Sequence, residues 1–147
     1  MPNLRPILLV EDNPNDVELT VNALKEAHLL NEIDVVNDGE RALDYLFRRG
    51  DYAGLTSPLP AVILLDLKMP KVDGHEVLRA IRADPVLRLT PVVMLTSSRE
   101  ESDLYRSYEN GANAYVVKPV GFEEFVSAIN KLGFFWAIVN VPPPAHP

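Results

Sequence analysis

The run Ala61-Val62-Ile63-Leu64-Leu65, closed by Asp66 and followed by Leu67-Lys68-Met69-Pro70, decides how this chain reads. A short, continuous run of β-branched and aliphatic residues fits a strand buried on both faces of a parallel sheet. A carboxylate ending such a strand is costly unless it has a partner. Similar runs lie on either side: Ile7-Leu8-Leu9-Val10, Ile33-Asp34-Val35-Val36, Pro91-Val92-Val93-Met94-Leu95 and Ala114-Tyr115-Val116-Val117. Between them fall helical stripes. Val17, Val21, Leu24 and His28 make one, Leu43, Leu46 and Phe47 a second, Val77, Leu78 and Ile81 a third, and Phe122, Phe125, Val126 and Ile129 a fourth. A further helix is predicted over Ser98–Asn110, opened by the capping pair Ser98 and Glu101 and stopped at Gly111. Its stripe is thin, mainly Leu104, Tyr105 and Tyr108. Strand and helix thus alternate five times, which means a doubly wound α/β fold with right-handed crossovers. The segment from Gly50 to Pro60 reads as a surface excursion.

The chain has 147 residues, 47% of them hydrophobic and 24% charged, enough for one domain with a real core. Its net charge of -7 argues against nucleic acid or an anionic membrane as the main partner. Cysteine is absent, so disulfides and thiolate chemistry are excluded. No apolar run approaches the roughly 20 residues of a membrane span, and the first residues lack a signal-peptide plan, so the expected location is the cytoplasm.

What ends each strand carries the chemistry. The first run ends in Glu11-Asp12, the third in Asp66, the fourth in Thr96 and the fifth in Lys118. In an open parallel sheet, ligands bind outside the carboxyl ends of the strands, so these groups converge on one rim. Carboxylates gathered there repel one another, and Mg²⁺ is the hard cation that suits one or two of them plus waters. With the Lys118 ammonium and the Thr96 hydroxyl, these are the parts of a phosphoryl-transfer site. Taken singly, each has a plainer reading: Glu11 and Asp12 as helix-entry acids, Thr96 as a cap, Lys118 as a solvated lysine, Tyr115 as core. Their joint placement at four strand ends favours function. Asp38 and Asp73 read as helix starters, and His28, His75 and His146 have no metal-ligand spacing.

From about Ile7 to Leu132 the sequence resembles bacterial receiver domains of two-component response regulators. The matching pieces are Leu9-Val10-Glu11-Asp12-Asn13-Pro14, Leu64-Leu65-Asp66-Leu67-Lys68-Met69-Pro70, Asp73-Gly74, Val93-Met94-Leu95-Thr96-Ser97, Gly111-Ala112 and Val117-Lys118-Pro119. The resemblance implies a flavodoxin-like, five-stranded parallel sheet in the order 2-1-3-4-5 with helices on both faces. It implies that Asp66 accepts a phosphoryl group from a histidine kinase in a Mg²⁺-dependent reaction. Asp12 and Asp66 would ligate the metal directly, Glu11 through water, and Lys68 through its backbone carbonyl. Lys118 would pair with the phosphoryl group, Lys118-Pro119 would be a cis peptide, and Thr96 and Tyr115 would form a switch pair. Within the family the chain is most similar to single-domain regulators associated with bacterial phytochromes. The cues are Asn15-Asp16, Asp44-Tyr45-Leu46-Phe47-Arg48-Arg49-Gly50, Ser98-Arg99-Glu100 and an aromatic tail ending in three prolines.

Two other functions compete. A haloacid-dehalogenase-type phosphatase also uses a strand-end aspartate, but it usually carries a second Asp two residues later, where this chain has Lys68. A receiver-fold binding module that is never phosphorylated would be expected to lack one of Asp12, Asp66, Thr96 or Lys118, and all four are present. The expected protein is therefore a phosphoacceptor and not an enzyme. Residues 1–132 are expected to form the receiver, with no output domain after Leu132. Residues 133–147 form an extension in which Phe134, Phe135, Trp136, Ile138 and Val139 lie in an uncharged stretch; it could prolong the last helix and pack on its own domain, but Gly133 is a natural helix stop, and an apolar patch of that kind predicts a homodimer.

Overall fold

A computed structural model describes residues 5–26, 30–69, 71–97 and 100–118. Five parallel strands, β1 (Ile7–Val10), β2 (Ile33–Val36), β3 (Val62–Leu65), β4 (Val92–Thr96) and β5 (Ala114–Val117), form one sheet in the order β2-β1-β3-β4-β5. Four helices connect them: α1 (Pro14–Glu26), α2 (Gly39–Phe47), α3 (Gly74–Ala83) and α4 (Glu101–Glu109). The expected helix over Phe122–Ile129, the Lys118-Pro119 peptide, His28 and the 133–147 tail lie outside the described residues.

The continuous apolar runs are the buried strands. Every residue of β1, β3 and β4 is buried, because helices cover both faces. Alternate residues feed two cores. Leu8, Val10, Ile63, Leu65 and Met94 pack with α2 and α3, while Ile7, Leu9, Val62, Leu64 and Leu95 pack with Leu24 of α1. The edge strand β2 is buried only at Val36, which explains its polar Asp34.

Two stripes differ from their sequence reading. The buried face of α2 is Ala42, Tyr45 and Leu46, and Phe47 is exposed. The reason is the segment after α2. A 3-10 turn at Gly50–Tyr52 and the chain beyond it fold back, so that Tyr52, Leu55 and Leu59 pack on the first core. The Tyr45 and Tyr52 rings meet edge-on at 5.4 Å, and Arg48 donates to the Ser57 carbonyl. The segment runs over the surface as expected, with its apolar side chains leaning back on the core. Helix α4 starts at Glu101, later than the Ser98 capping pair implied, and Ser98 is outside the described residues. The stripe expected to anchor it faces solvent instead. Ser107 alone is buried, while Leu104, Tyr105 and Tyr108 are exposed.

Asp38 and Asp73 cap α2 and α3, accepting from the Arg41 and Glu76 amides at 2.7 and 3.0 Å. The turn between α4 and β5 is held by Arg82. Its guanidinium donates to the carbonyls of Gly111, Arg88 and Thr90 and to Asn113 Oδ1, at 2.7 to 3.0 Å. Gly111 has φ +99°, and a Cβ there would meet Arg82 Nε at 2.9 Å, so this position takes glycine on both counts. Arg82→Met strands these acceptors, and a loss of about 2–4 kcal/mol in urea unfolding is expected. A loss below about 0.5 kcal/mol would show that water replaces the guanidinium.

Candidate phosphoryl-transfer site

The sheet's strand order reverses beside β1 and β3, and the rim there collects the chemistry. Its residues are fixed by backbone bonds that run past the strands. The Glu11 amide donates to Val36 O at 3.0 Å, Asp66 N to Val10 O at 3.1 Å, and Lys118 N to Thr96 O at 2.8 Å. The β3–α3 turn is equally tight. Gly74 N donates to Leu67 O at 2.9 Å, and a Cβ on Gly74 would fall 2.3 Å from the Asp66 carbonyl oxygen. A side chain there would push α3 away from the aspartate.

Glu11, Asp12 and Asp66 each bring a carboxylate oxygen into one group, all within 4.8 Å of one another. Glu11 and Asp66 are buried, and Asp12 is open to solvent. Burial, helped by the Asp66 charge, pushes the Glu11 carboxyl up to about 7, although Lys118 and the Asn13 amide act the other way. Burial also raises the Asp66 carboxyl, against the pull of Lys118 and the Lys68 backbone amide. The Lys118 ammonium bonds Glu11 Oε1, lies 2.9 Å from Asp16 Oδ2 and 3.5 Å from Asp66 Oδ2. Burial disfavours its charge, but the Glu11 and Asp16 contacts outweigh that and raise its pKa. Two buried carboxylates pushed towards protonation are under-compensated by one lysine. That is the environment a hard divalent cation fits.

Thr96 is fully buried at the end of β4. Tyr115 of β5 stands opposite Met94, so strand alternation puts Thr96 and Tyr115 on the same face of adjacent strands. The Lys68 side chain is exposed. All the strand-end residues picked from the sequence therefore come to one rim. Asp16 was not among them. Its place in the first turn of α1, four residues after Asp12, puts it near the rim, but nothing in the sequence signals the contact with Lys118.

Residues 7–130 match the family model of the response regulator receiver domain. The chain belongs to the receiver domain family. Among curated relatives, this receiver is 42% identical over 137 residues to the probable methanogenesis regulatory protein FilR2 of Methanothrix harundinacea, covering 93% of this chain and 86% of that protein. It is 39% identical over 130 residues to the response regulator Rcp1 of Synechocystis sp., covering 88% of this chain and 87% of Rcp1. The solved Mn(2+)-bound form of Rcp1 aligns with a TM-score of 0.77 at 38% identity, covering 94% of this chain and 99% of that one. The bacteriophytochrome response regulator RtBRR aligns with a TM-score of 0.85 at 61% identity, covering 96% of this chain and 85% of that one. The receiver is thus homologous to phytochrome response regulators, and its flavodoxin-like fold is theirs. Among the described residues, no helix is long and apolar enough to cross a membrane.

Proposed function

We propose that this receiver takes a phosphoryl group on Asp66 from a histidine kinase, a bacterial phytochrome being the class its relatives suggest, and passes the signal on by changing shape in the cytoplasm. The observation that carries this reading is the Glu11, Asp12 and Asp66 group, with the Lys118 ammonium 3.5 Å from Asp66. An Asp66 carboxylate oxygen attacks phosphorus, the new O–P bond forms, and the P–N bond to the kinase histidine breaks. Lys118 stands ready to pair with a phosphoryl oxygen, and the Thr96 hydroxyl with another. Asp12 and Asp66 would hold Mg²⁺ directly, Glu11 through water and Lys68 by its backbone carbonyl. Bound there, Mg²⁺ offsets charge developing on the phosphoryl oxygens. No carboxylate follows Asp66 by two residues, since Lys68 is there, which favours a phosphoacceptor over a turnover enzyme. Incubation with acetyl phosphate and Mg²⁺, followed by intact mass, should show one acid-stable, base-labile phosphoryl adduct. Steady release of phosphate with no adduct would instead indicate a phosphatase.

Thr96 and Tyr115 are the proposed switch. As Thr96 moves to the phosphoryl oxygens, Tyr115 follows on the neighbouring strand, and the lightly held α4 shifts with them. Amide exchange in α4 should change with beryllofluoride and Mg²⁺ present, and identical protection in both states would count against the switch.

Residues 133–147 are the proposed contact of a homodimer. The support is the sequence: Phe134, Phe135, Trp136, Ile138 and Val139 in a stretch without charge. Removing residues after Leu132 should leave a monomeric, phosphorylatable receiver in sedimentation. Equal dimerisation of both forms would place the contact elsewhere.

A further inference from the structure

We propose that Asp16 is a positioning residue for Lys118: its carboxylate fixes the ammonium so that one N–H remains directed at Asp66 for the incoming phosphoryl group. The inference rests on the phosphoacceptor reading above. An ammonium has three N–H donors. One is taken by Glu11 and one by Asp16 Oδ2 at 2.9 Å. Asp66 Oδ2, at 3.5 Å, is an ion-pair contact beyond an ordinary hydrogen bond, so the third donor is left uncommitted beside the acceptor.

Two observations separate this role from that of an ordinary first-turn acid. The helix dipole favours an acid at Asp16 wherever its carboxylate points. The α1 N-terminus is already capped, because Asn13 Oδ1 accepts from the Asn15 and Asp16 amides at 2.9 and 3.2 Å. The Asp16 carboxylate instead reaches a lysine 102 positions away in sequence. Second, among the described residues it is the one carboxylate on Lys118 outside the group that can hold a metal, which is Glu11, Asp12 and Asp66. When a cation offsets the charge of Glu11 and Asp66, Asp16 remains a full anionic partner for an ammonium whose side chain is only 10% exposed.

The proposal predicts a sign that simple electrostatics does not. Asp16→Asn removes a negative charge near an anion site, so through-space repulsion alone would tighten anion binding. Loss of positioning weakens it. Beryllofluoride binding in saturating Mg²⁺, followed by fluorine NMR, tests this on wild type, Asp16→Asn, Asp16→Glu, Lys118→Ala and the Asp16→Asn/Lys118→Ala double variant. Asp16→Asn should bind about tenfold more weakly, as expected for one charge-assisted hydrogen bond. Asp16→Glu should recover most of that, and Asp16→Asn should have no further effect once Lys118 is alanine. Unchanged or tighter binding by Asp16→Asn overturns the inference, as does an equal loss in both backgrounds, which would report a fold or dipole effect. Failure of wild type to bind beryllofluoride overturns the phosphoacceptor reading itself, and the inference with it.

Discussion

Asp66→Asn is expected to abolish phosphoryl labelling, by at least about a thousandfold, while the protein stays folded. An amide cannot supply the anionic oxygen that attacks phosphorus. Its size matches the carboxylate, so the tight turn that brings Gly74 against the Asp66 carbonyl is undisturbed. The substitution also removes a buried charge from beside Glu11, which eases repulsion. A loss of labelling in a variant at least as stable as wild type therefore reports chemistry and not unfolding. The check is intact mass after exposure to phosphoramidate and Mg²⁺, with urea unfolding alongside. Labelling at wild-type level would move the acceptor to another carboxylate, with the solvent-open Asp12 the first to test. The same experiment on wild type in EDTA should give little or no adduct, since Lys118 alone leaves the site's negative charge under-compensated.

Much of this was legible in the sequence because both signals used are strict. The middle of a strand buried on both faces rarely carries a polar residue, so Val62–Leu65 and Ile7–Val10 read as uninterrupted apolar runs. A strand end on the ligand-binding rim can carry one, so the polar residues that close β1, β3, β4 and β5 mark the site, while Asp38 after β2 only caps α2. Legibility failed where packing is made by side chains with mixed character. The flap after α2 packs the half-buried Tyr52, Leu55 and Leu59 on the core from among glycines and prolines, and composition alone reads such a stretch as loop. Once that flap covers α2, Tyr45 turns inward and Phe47 outward, which a stripe of aliphatic residues does not reveal. Asp16 was hidden for a different reason. An acid in a first helical turn has a sufficient local explanation, and its reach to Lys118 exists only in three dimensions.

Glu11→Gln should stabilise the metal-free protein at pH 8 and flatten its dependence on pH. In the folded chain burial raises the Glu11 carboxyl from an ordinary 4.5 to about 7, so the folded state holds this proton more tightly than the unfolded state does. For an acid shifted in that direction, the unfolded state binds fewer protons over the window, and stability falls as pH rises from about 4.5 to 7. A shift of that size corresponds to at most about 3 kcal/mol lost between pH 4.5 and 8 in EDTA. Asp66, raised by the same burial, acts in the same direction. Glutamine keeps the shape and a hydrogen-bonding oxygen for Lys118 but carries no charge to desolvate. A gain of about 1–3 kcal/mol at pH 8, shrinking towards pH 5, is therefore expected in urea titrations. Mg²⁺ should reverse the ranking. It should stabilise wild type most at high pH, where Glu11 is ionised, and stabilise Glu11→Gln far less. If Glu11→Gln were instead less stable than wild type at pH 8 in EDTA, the ion pair with Lys118 would outweigh desolvation. The buried carboxylates would then be compensated without a cation, and the physical case for a metal at this rim would fail.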